Sequence, residues 1–150
     1  MANQVEEQLN QSQFELLQKE TFMLLSTYSH TCESPMVNAI SWVFAPDRKA
    51  LVFAVDNRSI IVDNIRTSPG VVLTMIDDYS TYSIKGKAEI LTERITSIPV
   101  HLAKIKVAIS EVRDVMFYGA QISKGPDYDK TYDEEAAAKL DAQVMESLKE

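Results

Sequence analysis

The sequence predicts a mainly β protein, an antiparallel barrel or sandwich with flanking helices. Several segments alternate apolar and polar residues with a period of two, and most are joined by short connections. Helical patterns are confined to the two ends and one place in the middle. With 150 residues, 45% of them hydrophobic and 25% charged, the chain has room for one packed core. Closing such a sheet into a barrel removes the exposed strand edges that small β proteins must manage.

Taken in order, Leu9 to Glu20 reads as a short helix, with Phe14, Leu17 and Leu9 or Leu16 near helical spacing among Glu, Gln and Lys. A strand follows over Phe22 to Thr27 and ends in a polar loop, Tyr28 to Ser34. From Met36 to Ala45 the alternation reads as one strand. Its bulky face holds Met36, Asn38, Ile40, Trp42 and Phe44; its small face holds Val37, Ala39, Ser41, Val43 and Ala45. Pro46 to Lys49 is a turn, and Leu51 to Val55 completes a hairpin. A helix is expected between Asn57 and Ser68, capped by Asn57 or Ser59, burying Ile61, Val62 and Ile65 and stopped by Pro69-Gly70. Val71 to Ile76 is apolar on both faces, as in a strand covered on both sides. Tyr82 to Leu91 alternates again, and Ile105, Val107 and Ile109 form a further strand with Lys104 and Lys106 on its other face. Thr131 to Glu150 reads as a helix with a Thr131/Glu134 capping box and a stripe of Ala137, Leu140, Val144 and Leu148.

Composition narrows the function classes. Fifteen Lys+Arg against 22 Asp+Glu leave a net charge of −7, a poor match for nucleic acid or an anionic membrane surface. No apolar run approaches the roughly 20 residues of a membrane span, and the polar, acidic first twenty residues do not read as a signal peptide. With one cysteine, a thiol-built zinc site within one chain is excluded and a reducing, cytoplasmic setting is expected.

Most catalytic constellations are missing. His30 and Cys32 lie close in a loop, but no residue nearby in sequence orients them as a nucleophile pair. Two isolated histidines give no metal-binding pair, so no metal is expected. Asp77-Asp78 reads as a solvated turn, and no glycine-rich phosphate loop is present. What remains is Arg58-Ser59 at the start of the middle helix. A helix N-terminus offers unpaired N–H groups, to which a guanidinium and a hydroxyl would add donors for a phosphate; the alternative is that Ser59 merely caps and Arg58 is solvated.

The order of several motifs carries more than any one of them. Phe22-Met23-Leu24-Leu25-Ser26-Thr27 is followed by Pro35 to Val43, by Leu51-Val52-Phe53-Ala54-Val55, and by Arg58-Ser59 five residues before Asn64-Ile65-Arg66. Ser68-Pro69-Gly70-Val71-Val72-Leu73 and Ile84-Lys85-Gly86-Lys87-Ala88-Glu89 close the series. Over roughly residues 10 to 112 this resembles the pyridoxamine 5'-phosphate oxidase-like family of FMN-binding split barrels. The resemblance implies a single domain over 1–150: a six-stranded antiparallel split β-barrel at about 20–115 and a C-terminal helix at about 132–150. It implies a homodimer with FMN in clefts between the subunits, and a role as an oxidoreductase of unknown substrate, with a small-molecule substrate or electron donor such as NAD(P)H. By carry-over, Asn38, Ala39 and Ser41 would flank the isoalloxazine ring or ribityl chain, and Phe53, Ala54 and Val55 would add backbone and side-chain contacts. Arg58 and Ser59 would meet the phosphate, and Thr81, Tyr82 and Ser83 would approach the ring from the second subunit. The chain departs from the family where Arg and Lys usually follow the phosphate-binding serine: Ile60 and Ile61 stand there, with Arg58, Lys85 or Lys87 able to compensate. It also lacks the C-terminal Trp- and Arg-containing segment of pyridoxamine-phosphate oxidases, which speaks against that particular activity. The alternative implied is a non-catalytic carrier or sensor dimer binding flavin, deazaflavin or haem.

Overall fold

The structure is a computed structural model that describes residues 5–150, so the first four residues of the expected domain lie outside it. Its elements in chain order are β1 (Val5–Glu6), α1 (Gln11–Leu16), β2 (Met23–Ser29), β3 (Ser34–Ile40), β4 (Val43–Asp47), β5 (Ala50–Asp56), α2 (Ile60–Thr67), β6 (Gly70–Asp77), β7 (Ser80–Thr92), β8 (Leu102–Asp114) and α3 (Glu134–Leu148). Every pairing is antiparallel, and the strands run β3-β2-β6-β7-β8-β5-β4, with β1 added to the far end of β8. The two outermost strands, β3 and β4, are consecutive in the chain and separated by only Ser41 and Trp42. A sheet whose opposite edges are joined by two residues must curl on itself. Counting β3 and β4 as one interrupted strand, this is the expected six-stranded antiparallel barrel, split at the interruption.

That interruption corrects the continuous strand expected over Met36 to Ala45. The Ser41 carbonyl accepts from both Val43 N (2.9 Å) and Thr21 N (3.1 Å), and the Trp42 carbonyl accepts from Ala54 N (3.1 Å). The chain turns a corner there and the facing inverts. In β3 the residues Met36, Asn38 and Ile40 are half-buried while Val37 and Ala39 are exposed; in β4 it is Val43 and Ala45 that are fully buried. Trp42 and Phe44 therefore leave the bulky face and pack outside the barrel.

The first helix is shorter than the expected Leu9–Glu20 because tertiary bonds take its ends. Leu9 N donates to the Arg48 carbonyl and Leu9 O accepts from Arg48 Nε, while Ala45 N donates to the Leu17 carbonyl. Asn10 caps what remains in a reciprocal box with Gln13. In the middle helix, Ser59 is the cap, its Oγ accepting from Ile61 N at 3.1 Å, and Ile61, Val62 and Ile65 are buried as their spacing requires. The strand covered on both sides is β5, not β6: β6 alternates buried Val71, Leu73 and Met75 with half-exposed neighbours.

Two apolar clusters explain this. One fills the barrel around Leu25, Phe53, Leu73, Met75, Ile84 and Ile105. The other lies outside β5, where Val52, Ala54 and Leu102 meet Val144 and Leu148 of α3, with Trp42 and Phe44 at its margin. The C-terminal stripe thus packs on the barrel's own outer wall. Its N-cap is Asp133, which accepts from Ala136 N, rather than Thr131. Lys104, on the face opposite Ile105 and Val107, is buried; its Nζ donates to the carbonyls of Ser147 (3.0 Å) and Glu150 (2.8 Å), satisfying acceptors that a helix end leaves open.

Candidate functional site

A groove of about 330 Å³ lies in the split of the barrel, lined by Asn38, Ala39, Ile40, Ser41, Trp42, Ala54, Val55, Asp56, Ser59 and Ile61. Small-molecule sites begin at about 300 Å³. Its walls follow from topology. β3 is an edge strand with β2 on one side only, and the end of β5 runs past the last residue paired with β4. Neither has a strand on the groove side, so both edges offer backbone donors and acceptors to a guest. Ala39, Ser41 and Ala54 keep the walls low.

Asn38 is the most telling residue. Its Oδ1 is buried and has no hydrogen-bond partner, a situation that costs about 1–3 kcal/mol and is rare in folded proteins. A ligand donating to that oxygen would remove the cost. At the other end stands the α2 N-terminus with Ser59. Beside it, Arg58 grips the Asp56 carboxylate with two parallel contacts of 3.3 Å, and Asp56 also accepts from Arg58 N at 2.8 Å. The guanidinium's hydrogen bonds hold the Asp56 carboxyl below its usual pKa, and Asp56 raises that of Arg58. The Arg58 side chain is 78% exposed, so this fork can turn to another anion presenting the same pair of oxygens.

The structure brings Asn38, Ala39, Ser41, Ala54, Val55 and Ser59 together around the groove; Arg58 is not among its lining residues but is paired with Asp56, which is. Phe53 does not join them: the whole residue is buried, with its side chain in the barrel and its backbone between Val43 of β4 and Ile105 of β8. Thr81, Tyr82 and Ser83 lie elsewhere on the same chain. Thr81 and Ser83 share the outer face of the sheet, where the row Ala39–Leu24–Thr74–Ser83 runs across four strands. Tyr82 alternates to the opposite side, packs on the core and donates its hydroxyl to the Asp78 carbonyl at 3.4 Å. Burial first, then Asp78 and Asp114, raise its pKa. His30 bonds Ser68 Oγ and sets its ring edge against Tyr28, while Cys32 is exposed. Among the described residues no cluster of three or more His, Cys, Asp or Glu could hold a metal. None of the helices is long and apolar enough to cross a membrane.

Sequence reasoning missed Asp56, whose spacing two residues before Arg58 was a usable signal. It also missed a charged cluster beyond Ser41. Lys130 Nζ bridges Glu20 (2.8 Å) and Asp141 (3.1 Å), and Asp141 accepts from Trp42 Nε1 at 2.8 Å. Burial works to lower the pKa of Lys130, but the two carboxylates outweigh it and hold it raised. Tyr128 lies beside them, its ring 6.2 Å from that of Phe22. Its phenol is raised by burial and by Glu20, against the opposing influence of Lys130 and Ser41. These residues meet only through the fold, and no local pattern announces them.

The family described as pyridoxamine 5'-phosphate oxidase matches residues 9–98. A search of curated proteins finds no match. Among solved structures, a candidate pyridoxamine 5'-phosphate oxidase from Lactobacillus delbrueckii superposes with a TM-score of 0.63 at 17% identity, covering 75% of this chain and 98% of that one. An F420 reductase superposes with a TM-score of 0.53 at 21% identity, covering 64% and 91%. HutZ, a haem storage protein from Vibrio cholerae, does so at 0.51 and 9%, covering 68% and 92%. At these identities the likeness is one of fold.

Proposed function

Because the chain belongs to the pyridoxamine 5'-phosphate oxidase family, we propose that it binds FMN in the barrel split and acts as an oxidoreductase, working as a homodimer. The observation that carries this reading is the unpaired, buried Asn38 Oδ1 beside a groove walled by free strand edges. The residues fit the group. A flat ring with an amide-rich edge would lie along Ala39, Ser41 and Ala54, with Asn38 Oδ1 accepting a hydrogen bond from a ligand N–H or O–H. Ser59, at the α2 N-terminus, and Arg58 would hold the phosphate. When bound, the flavin supplies electron or hydride exchange. The chain supplies position and exclusion of water, and β5, packed on both faces, makes a rigid wall for it.

Dimerisation is supported by the outer sheet face. Val37 is 60% exposed, and Pro35, Tyr28 and partly exposed Leu24 and Val72 extend the apolar area around it. A second copy laid on this face would cover it and bring Thr81 and Ser83 towards the partner's β3. The contact would be isologous, as in most homodimers.

A second reading, a carrier or sensor of flavin, deazaflavin or haem, is favoured by one feature. Arg58 is already occupied by Asp56, and Ile60 and Ile61 add no charge at the helix start. The Arg58→Ala variant separates the parts of the proposal. Its FMN affinity should fall about tenfold or more, the loss of one charge-assisted hydrogen bond, while riboflavin, which has no phosphate, binds nearly as before. Equal losses for both ligands in a fluorescence titration would place the phosphate elsewhere. Sedimentation velocity should show a dimer; a monomer that still binds flavin would remove the second subunit from the site.

A further inference from the structure

A second cavity, of about 320 Å³, lies where the segment around α1 meets Arg48, β7 and the end of β8. It shares no lining residue with the groove in the barrel split. We propose that it binds a small zwitterion, an α-amino acid or a molecule with the same pair of charges. Arg48 and Gln13 would hold the carboxylate, and Asp114 the ammonium. This goes beyond the flavin reading and does not depend on it.

Gln13 and Arg48 are pinned by the two sides of one peptide unit. The Asn10 N–H donates to Gln13 Oε1 at 2.9 Å, and the Leu9 carbonyl accepts from Arg48 Nε at 2.7 Å. Both bonds leave the best donors over. Gln13 is only 2% exposed and lines the cavity, yet no described residue accepts from its Nε2. A buried amide without a partner is rare, and the cavity is where this one can find it. Arg48 forms no ion pair with a described carboxylate, so its two terminal nitrogens remain. Such a pair matches the two oxygens of a carboxylate. Asp114 supplies the opposite pole. Ser80 Oγ (2.7 Å) and Met116 N (3.0 Å) both donate to its Oδ1, and no described residue donates to Oδ2. Glu6 also lines the cavity, with a contact of its own, so carboxylates outnumber the one cation and an anion alone meets repulsion. A cation alone would leave Arg48 and Gln13 unanswered. Buried Leu9 and Val112 and half-buried Tyr82 give the guest an apolar wall.

Three probes separate the two poles: free leucine, isoamylamine, which lacks its carboxylate, and isocaproate, which lacks its ammonium. In calorimetric titrations of the full-length protein, leucine should bind at least about tenfold tighter than either of the others. Gln13→Glu keeps the oxygen that accepts from Asn10 N and places a negative charge at the carboxylate end. It should weaken leucine about tenfold and spare isoamylamine. Asp114→Asn keeps an acceptor for Ser80 and Met116 while removing the charge, and should weaken leucine several-fold and spare isocaproate. Saturating FMN should leave the leucine affinity unchanged, because the two sites share no residue. Equal binding of the three probes, binding of none, or a leucine affinity that neither variant lowers would overturn the proposal, as would competition between leucine and FMN. Protein that binds leucine in this way and takes up no FMN would refute the flavin reading alone.

Discussion

Gly86→Ala should cost about 3 kcal/mol of stability, a large part of the roughly 5–15 kcal/mol that holds a typical domain together. Gly86 is buried in the middle of β7, where the pairing with β8 slips from Lys85↔Glu111 to Gly86↔Ile109 and leaves Ser110 unopposed. A Cβ at this position would lie 2.3 Å from the Ala108 carbonyl oxygen and 2.7 Å from Val107 Cγ1. The first obstacle is backbone, so it cannot rotate away, and the two longest strands would have to part. Gly70 is the control: nothing lies within 4 Å of where its Cβ would be. Gly70→Ala should be neutral or slightly stabilising, because alanine restricts the unfolded chain. Chemical denaturation of the two variants reads the contrast; equal effects would mean that β7 and β8 do not approach as described.

Asn38→Leu should do two opposite things. In the flavin-free protein it removes a buried oxygen that has no partner and replaces it with an apolar group of similar size. Stability should rise by about 1 kcal/mol. In the titration with FMN the same change should weaken binding about tenfold or more, since the ligand loses its acceptor. A site that holds an unsatisfied group for its ligand is less stable when empty, and the paired result is the mark of that arrangement. If Asn38→Leu destabilised the empty protein and left FMN affinity alone, Asn38 would be a structural residue.

Much of this was legible in the sequence for a definite reason. Strand alternation survives folding, so the hairpin at Pro46–Lys49, the helix with Ile61, Val62 and Ile65 inward and the alternation of Tyr82–Leu91 are all found where the pattern puts them. The corner at Ser41–Trp42 was not legible. Small and large residues alternate straight through it, and what breaks the strand is a pair of carbonyls claimed by Thr21, Val43 and Ala54. The same limit applies to Lys104, which alternation places outward and which the end of α3 then covers. At the candidate site, Asn38, Ala39, Ser41 and Ser59 were within reach because they lie on elements that the motif order fixes. Tyr128, Lys130 and Asp141 were not, because they meet Glu20 and Trp42 across about a hundred residues of chain.

The most direct measurement is the absorption spectrum of freshly purified protein, followed by denaturation and identification of whatever is released. A flavin spectrum, with FMN recovered close to equimolar with the chain, is the result expected of the groove between β3 and β5. Colourless protein that acquires no flavin spectrum when FMN is added, or a haem Soret band in its place, would contradict it.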